Sequence, residues 1–119
     1  MVFIDGGYLR NQISNIFVSD LLHYTAFIDM INSQFQSSPF YFDLLRIYYY
    51  DALSNDPNII DHSYINAIKK IPIFEDRLGT LKISHKKRNQ KGVDTLIAID
   101  LLSKSHQNQF DIAILITGD

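Results

Sequence analysis

Short runs of apolar and β-branched residues recur along the chain, separated by stretches of helical spacing. The first run, Val2-Phe3-Ile4, leads into Asp5, and the last run leads into Gly118-Asp119. Runs of this length, bounded by turn residues, are typical of buried strands. We predict four strands, over residues 2–5, 44–51, 79–84 and 110–117.

The segments between these strands place apolar residues at helical intervals. We predict four helices, a short one that begins near Tyr8 and three others over residues 19–36, 58–71 and 93–105. Ser19 is the expected N-cap of the second helix. Gly6-Gly7 predicts a turn, and residues 85–90 predict a basic loop. The alternation of strands and helices predicts an α/β domain whose parallel sheet carries helices on its faces.

Composition narrows the class of protein. A chain of 119 residues forms one domain, and its 46% of apolar residues suffices for a core. There is no cysteine, which excludes disulfides, thiolate zinc sites and cysteine nucleophiles. The N-terminus shows no signal peptide, and no apolar stretch reaches the roughly 18 residues of a membrane helix. We expect a cytoplasmic protein with no membrane partner.

The net charge of −2 conceals a segregation of charge along the chain. Residues 77–93 contain no acidic residue and six of the eleven Lys and Arg residues, namely Arg77, Lys82, Lys86, Lys87, Arg88 and Lys91. The charged residues in the rest of the chain are mostly acidic. This pattern favours a protein that holds a metal ion in one region and binds a polyanion in another.

Three aspartates are predicted to meet at one end of the sheet. In a sheet of order 3-2-1-4, Asp5 and Asp119 end neighbouring strands about 4.8 Å apart, and Asp94 begins a helix at the same edge. Carboxylates this close repel one another unless a cation lies between them. Oxygen ligands without His or Cys favour Mg²⁺ or Mn²⁺ over zinc. Asp51, which ends the second strand, is a weaker candidate, and Asp100 is expected to point elsewhere on its helix.

These residues also have an ordinary structural interpretation. An aspartate at a strand end is often a turn former, and Asp94 could serve only as a partner of the helix dipole. A charge run such as Lys86, Lys87, Arg88 and Lys91 is often only a solvated face. Its position directly before Asp94 favours phosphate binding beside a metal ion that acts on the scissile phosphate.

Three segments of the chain resemble the motifs of NYN domains, which belong to the PIN-like nuclease group. They are Val2-Phe3-Ile4-Asp5-Gly6-Gly7, Lys91-Gly92-Val93-Asp94 with the apolar helix after it, and residues 111–119. The segments span nearly the whole chain in the family's order, and the second is the most specific. Tyr48-Tyr49-Tyr50-Asp51 also fits the family's second strand.

The resemblance implies a three-layer PIN-like (Rossmannoid) α/β fold over residues 1–119 and a metal-dependent ribonuclease. Metal-activated water would cleave RNA endonucleolytically, with Mg²⁺ or Mn²⁺ as the cofactor. Asp5, Asp94 and Asp119 would bind the metal, with Asp51 as a further candidate ligand. The residues expected to bind the RNA substrate are Lys86, Lys87, Arg88 and Lys91.

The chain departs from the family pattern in two places. Many members carry Asn three positions after the first Asp, where this chain has Tyr8. The family also continues past the final Gly-Asp with a further acidic motif, whereas this sequence ends at Asp119. We therefore expect the domain to be incomplete at its C-terminal end. A homodimer, or a further domain after Asp119, is kept as a candidate partner.

Two other functions stay open on the sequence alone. Tyr8 and the abrupt end favour a regulatory module that binds RNA without cleaving it. A haloacid-dehalogenase-like phosphatase also opens with an apolar strand and an Asp. That family has a second Asp two positions later, where this chain has Gly7, which argues against it.

Overall fold

The computed structural model describes residues 1–16, 23–36, 39, 42–53, 61–84 and 87–118. These residues form strands β1 (Val2–Asp5), β2 (Ile47–Leu53), β3 (Phe74–Ser84), β4 (Lys87–Lys91) and β5 (Ile114–Ile116). The helices are α1 (Gly6–Ile16), α2 (Tyr24–Gln36), α3 (Asp61–Ile68) and α4 (Val93–His106). No helix within the described residues is long and apolar enough to cross a membrane.

The strands form one sheet in the order β4-β3-β2-β1-β5. Strands β3, β2, β1 and β5 are parallel to one another, which confirms the predicted parallel sheet of order 3-2-1-4. Strand β4 pairs antiparallel with β3. The register places Asp5 beside Tyr50, and Tyr50 beside Arg77.

Helices α1, α2 and α3 belong to one face of the sheet, which we call the α1–α3 face. Its core joins Ile4 and Tyr49 of the sheet to Phe27 of α2 and Ile65 of α3, all of them buried. Leu9 of α1 packs against the same cluster. Burial of large apolar side chains such as these stabilises the fold by about 1.5–3 kcal/mol each.

Helix α4 covers the opposite face, which we call the α4 face. Phe3, Tyr48 and Tyr50 pack there against Val93 and Ile97 of the helix. The rings of Phe3 and Tyr48 stack with their centroids 5.4 Å apart, a favourable arrangement for an aromatic pair. With helices on both faces of the sheet, the predicted three-layer architecture is confirmed.

The predicted loop over residues 85–90 is wrong, because β4 takes up most of it. Strand β3 continues past Thr80, its last residue paired with β2. Beyond that point its backbone groups need another partner, and residues 87–91 supply it in antiparallel register. Strand β4 lacks apolar alternation, which is why the sequence did not predict it, but lysines are common on edge strands.

The predicted Gly6-Gly7 turn is also wrong, because α1 begins at Gly6. Asp5 Oδ1 accepts a hydrogen bond from the backbone N–H of Tyr8 at 3.0 Å, which is the N-cap geometry. The chain therefore passes directly from β1 into α1. Gly6 is required for space, since a Cβ there would overlap the Tyr49 ring and lie 2.6 Å from its hydroxyl oxygen.

Other element bounds differ more modestly from the prediction. Strand β3 begins at Phe74 instead of residue 79, because residues 74–78 already pair with β2. Strand β2 begins at Ile47 instead of residue 44 and continues two residues past Asp51. Strand β5 is limited to three residues. The predicted N-cap Ser19 lies outside the described residues.

Candidate active site at the carboxyl edge of the sheet

Helix α4 runs antiparallel to the parallel strands, so its N-terminus lies where those strands end. Two contacts establish this direction. The Tyr50 hydroxyl donates a hydrogen bond to Asp100 at 2.8 Å, and Lys104 Nζ lies 4.4 Å from the centre of the Tyr48 ring. We call the end of the sheet where β1, β2, β3 and β5 finish the carboxyl edge. Functional sites of open α/β sheets usually form there.

Asp5 reaches the carboxyl edge as the last residue of β1. Because side chains alternate along a strand, it shares the α4 face with Phe3. The Tyr8 N–H orients its carboxylate through Oδ1. Among the described residues, no basic side chain forms an ion pair with Asp5. A carboxylate oriented in this way and not neutralised by those residues can bind a cation.

Asp94 is brought to the same edge by the bend between β4 and α4. Gly92 makes this bend at φ 85°, in the left-handed region, which costs other residues roughly 1–2 kcal/mol. Val93 then enters the core of the α4 face, and Asp94 is exposed in the first helical turn. Asp94 precedes Asp100 by six residues, or about 9 Å of helix toward the carboxyl edge.

The structure thus brings Asp5 and Asp94 to one edge and one face of the sheet. Asp119, the third predicted ligand, lies outside the described residues. Within the described part of the chain, no group of three His, Asp or Glu side chains is placed to hold a metal ion. The predicted trio contains Asp119, so its role as a metal site stays a prediction.

The donor chemistry of this edge suits a hard divalent cation. Asp5 and Asp94 offer carboxylate oxygens from two separate elements. Mg²⁺ is commonly held by one or two carboxylates, while waters and substrate phosphate oxygens complete its octahedron. Manganese accepts the same oxygen ligands. The residues present therefore fit Mg²⁺ or Mn²⁺ by ligand type.

Asp51 belongs to the opposite face of the sheet. It is fully buried, and Arg10 of α1 binds both of its carboxylate oxygens. Arg10 also donates to the Tyr49 hydroxyl at 3.1 Å, and the Ala52 N–H donates to Asp51 at 2.8 Å. The structure does not bring Asp51 together with Asp5, and the described contacts of Asp51 are with α1 and with its own strand.

A second polar cluster lies on the α4 face, below the carboxyl edge. Asp100 accepts the Tyr50 hydrogen bond, and Arg77 Nε lies 3.2 Å from its Oδ2 without the alignment of a hydrogen bond. Burial, and then the bond to Asp100, raise the pKa of Tyr50 well above its usual range. Asp100 thus helps to hold α4 to the sheet through Tyr50 and Arg77.

The predicted RNA-binding residues belong to the β3–β4 region. Lys87, Arg88 and Lys91 lie on β4, which leads through Gly92 into α4. Lys86 lies outside the described residues. Lys91 pairs with Thr80 of β3, three register positions beyond Arg77, the residue in line with Asp5. Strand β4 therefore lies at or beyond the ends of β1 and β2, with Lys91 as its residue nearest to Asp5. Phosphate binding by its side chains stays a prediction.

Sequence reasoning missed the role of Arg10. A signal was present in the sequence, since Arg10 lies on the predicted first helix and precedes the apolar Ile13 by three residues. Residues at this spacing share one face of a helix. An arginine in such an apolar stripe predicts a buried acidic partner, because a buried charge needs compensation.

An apolar cavity of about 390 Å³ opens at the other end of the sheet. Its lining includes Met1 before β1, Leu44 before β2 and Phe110 before β5. Two aspartates, Asp43 and Asp111, also line it. The cavity lies where the strands begin, so it is separate from the site formed by Asp5 and Asp94.

Comparison with known proteins gave one family. The model of the NYN domain family matches residues 1–119, which is the whole chain. Curated proteins gave no match, and solved structures gave none. The match confirms the family resemblance of the three segments, and it does not support the haloacid-dehalogenase alternative.

Proposed function

Because the chain belongs to the NYN domain family, a family of PIN-like nucleases, we propose that it is an endoribonuclease dependent on Mg²⁺ or Mn²⁺. The proposed active site is the carboxyl edge, with Asp5, Asp94 and Asp119 as metal ligands. One observation carries the proposal. Asp5 and Asp94 reach the same edge and face from different elements, and neither has an ion-pair partner among the described residues.

The scaffold of the two acids supports a metal-binding role. The N–H of Tyr8 orients Asp5, and the left-handed Gly92 sets where α4 begins and hence where Asp94 lies. Both elements are anchored in the same core through Phe3 and Val93. Asp5 and Asp94 would hold a divalent ion, which would supply an activated water and stabilise the departing oxygen of a phosphodiester. The protein's part is to hold two carboxylates at a fixed separation, so that little reorganisation accompanies the reaction.

Strand β4 supports RNA as the substrate. Its sequence, Lys87-Arg88-Asn89-Gln90-Lys91, is basic and polar, and it leads directly to the Asp94 turn. Cations at this place can hold backbone phosphates beside the metal site. Replacing Lys87 and Arg88 with Gln should weaken RNA binding and lower its salt dependence, by about 0.7 in the logarithmic slope for each phosphate that is no longer neutralised.

The test is RNA cleavage in the presence of Mn²⁺ by the wild type and by Asp94→Asn. We expect the wild type to cut an internally labelled RNA and chelation of the metal to stop cleavage. Asp94→Asn should reduce the rate at least about a hundredfold, because loss of a group that only orients a metal ligand already costs about 10–100-fold. The matched control is Asp29→Asn, an exposed aspartate on α2, whose helix packs on the other face. Equal rates for the wild type and Asp94→Asn would refute the assignment.

A non-catalytic RNA-binding module is the second candidate. Tyr8, which occupies the position where many family members have Asn, favours it. The same assay separates the two, because a module would bind the labelled RNA and Mn²⁺ would produce no cleavage. Binding of RNA by the wild type without any metal-stimulated product would establish the module in place of the nuclease.

A further inference from the structure

Tyr8 contacts the chain on both sides of the carboxyl edge where β1 and β5 end. Its N–H binds Asp5 Oδ1 at 3.0 Å. Its ring packs on Gly118, since a Cβ built on Gly118 would lie 2.6 Å from Tyr8 Cδ2 and 2.8 Å from Cε2. Carbon atoms at such distances overlap, so any larger residue at position 118 would displace the ring.

Gly118 is required for space rather than for conformation. Among the described glycines, only Gly92 has a positive φ. The backbone of Gly118 is therefore compatible with other residues, and the aromatic ring against it is what excludes a side chain. The pairing of Tyr8 with Gly118 is a specific contact between α1 and the segment after β5.

We propose that Tyr8 is a positioning residue that fixes the segment after β5 against the first turn of α1. Its backbone orients Asp5, and its ring holds Gly118, the residue that precedes Asp119 in the sequence. Backbone pairing between β1 and β5 ends at Ile4 and Ile116. Beyond that pair, one residue thus holds the separation between the end of β1 and the segment after β5. The inference rests on the proposed function, because this separation has a chemical role only if the acids share a cation.

The size of the expected effect follows from the geometry that metal ions demand. Mg²⁺ requires a near-ideal octahedron with ligands at about 2.0–2.1 Å. A few tenths of an ångström of freedom at one strand end therefore weakens binding. Groups that orient metal ligands typically change metal affinity or activity by about 10–100-fold when removed.

The experiment is a double-mutant cycle on the full chain, with the Kd for Mn²⁺ measured by titration calorimetry. We expect Tyr8→Ala to weaken Mn²⁺ binding about tenfold. Gly118→Ala should weaken binding similarly, because its methyl group displaces the ring. In the Tyr8→Ala background the same Gly118→Ala change should not weaken Mn²⁺ binding any further, because the ring is absent. Tyr8→Phe keeps the ring and should retain the wild-type affinity.

Thermal unfolding and RNA kinetics separate this role from a merely structural one. A structural role would lower the melting temperature and leave the Kd for Mn²⁺ of the folded protein unchanged, and that result would overturn the proposal. Positioning predicts a lower kcat with little change in the KM for RNA. If Tyr8→Ala does not fold, Tyr8→Leu fills the space without a planar ring and takes its place.

The outcomes also distinguish this inference from the proposed function. A wild type that binds Mn²⁺ but leaves RNA intact would refute the nuclease, while the coupling between Tyr8 and Gly118 would still support positioning. Cleavage that depends on Asp94, together with equal losses from Gly118→Ala in both backgrounds, would overturn the positioning role alone. Absence of Mn²⁺ binding by the wild type would overturn both.

Discussion

Two aspartates stand on adjacent strands near the carboxyl edge, Asp5 on β1 and Asp51 on β2. In register, Asp5 pairs with Tyr50, so Asp51 lies only one residue farther along its strand. Asp51 is fully buried and Arg10 binds both of its oxygens. Asp5 is partly buried, and its described hydrogen bond comes from the backbone of Tyr8.

The offset of one residue explains why Asp51 is buried against Arg10 while Asp5 is only partly buried. Successive side chains of a strand point to opposite faces, so Asp51 meets α1 while Asp5 lies on the side of α4. A carboxylate against α1 enters the core, where it requires a cationic partner. A carboxylate on the other face stays near the edge, where Asp94 arrives. The face of the sheet, more than the position at a strand end, therefore distinguishes a structural acid from a candidate ligand.

The largest expected effect is on stability, from breaking the buried ion pair. Arg10→Met removes the guanidinium that binds both oxygens of the buried Asp51 carboxylate, which should lower the free energy of unfolding by about 3–5 kcal/mol. Urea denaturation measures it. The control is Lys69→Met, which breaks the more exposed Lys69–Asp76 pair, 3.5 Å long, and should cost less than about 1 kcal/mol. Similar costs for the two variants would show that Asp51 does not depend on Arg10.

The same substitution at the two aspartates should have opposite consequences. Asp5→Asn should reduce RNA cleavage about a hundredfold, or about 2.7 kcal/mol in the activation barrier. Its stability should change little, because Asn is as good an N-cap as Asp. Asp51→Asn should lower stability strongly, by breaking its pair with Arg10. Cleavage rates and urea midpoints of both variants test this, and a stable Asp51→Asn without activity would contradict the comparison.

A smaller effect on stability is expected at Gly6, which lies between Asp5 and the residues around Asp51. Gly6 follows Asp5 and packs against Tyr49, whose hydroxyl accepts a bond from Arg10. Gly6→Ala should force the Tyr49 ring to move, at a cost of about 1–3 kcal/mol from overpacking. Chemical denaturation provides the measurement. A wild-type midpoint for Gly6→Ala would mean that the approach of α1 to β2 is not tight.

The smallest effect concerns Tyr50, the register partner of Asp5. Burial raises its pKa above the usual value, and the bond to Asp100 adds to the shift. An unfolded tyrosine ionises near pH 10, while folded Tyr50 stays protonated. Its contribution to stability should therefore be constant below about pH 10 and decline above it. Tyr50→Phe should cost about 1 kcal/mol at neutral pH and show a shallower alkaline decline. An identical alkaline profile for both proteins would argue against a raised pKa.

The parts of the fold that could be predicted from sequence are those written in local patterns. Apolar runs located β1 and β2, and the alternation of strands and helices indicated a parallel sheet. The Gly92-Val93-Asp94 segment located the start of α4. Strand β4 could not be predicted, because its pairing depends on the unpaired end of β3 rather than on its own polar sequence.

The candidate site divides in the same way. The arrival of Asp5 and Asp94 at one edge follows from the alternation of parallel strands with helices, which leaves a sequence pattern. The burial of Asp51 follows from a one-residue phase between strands and from Arg10, a partner 41 residues away in the chain. The contact of Tyr8 with Gly118 joins opposite ends of the sequence, and no local pattern reveals such a contact.

The most direct test of the difference between Asp5 and Asp51 is a crystal of the protein soaked in Mn²⁺, with the ion located by its anomalous scattering. The expected result is a peak within bonding distance of the carboxylates of Asp5 and Asp94 and none beside Asp51. A peak beside Asp51, or no peak at the carboxyl edge when the crystal holds Mn²⁺ elsewhere, would contradict the assignment.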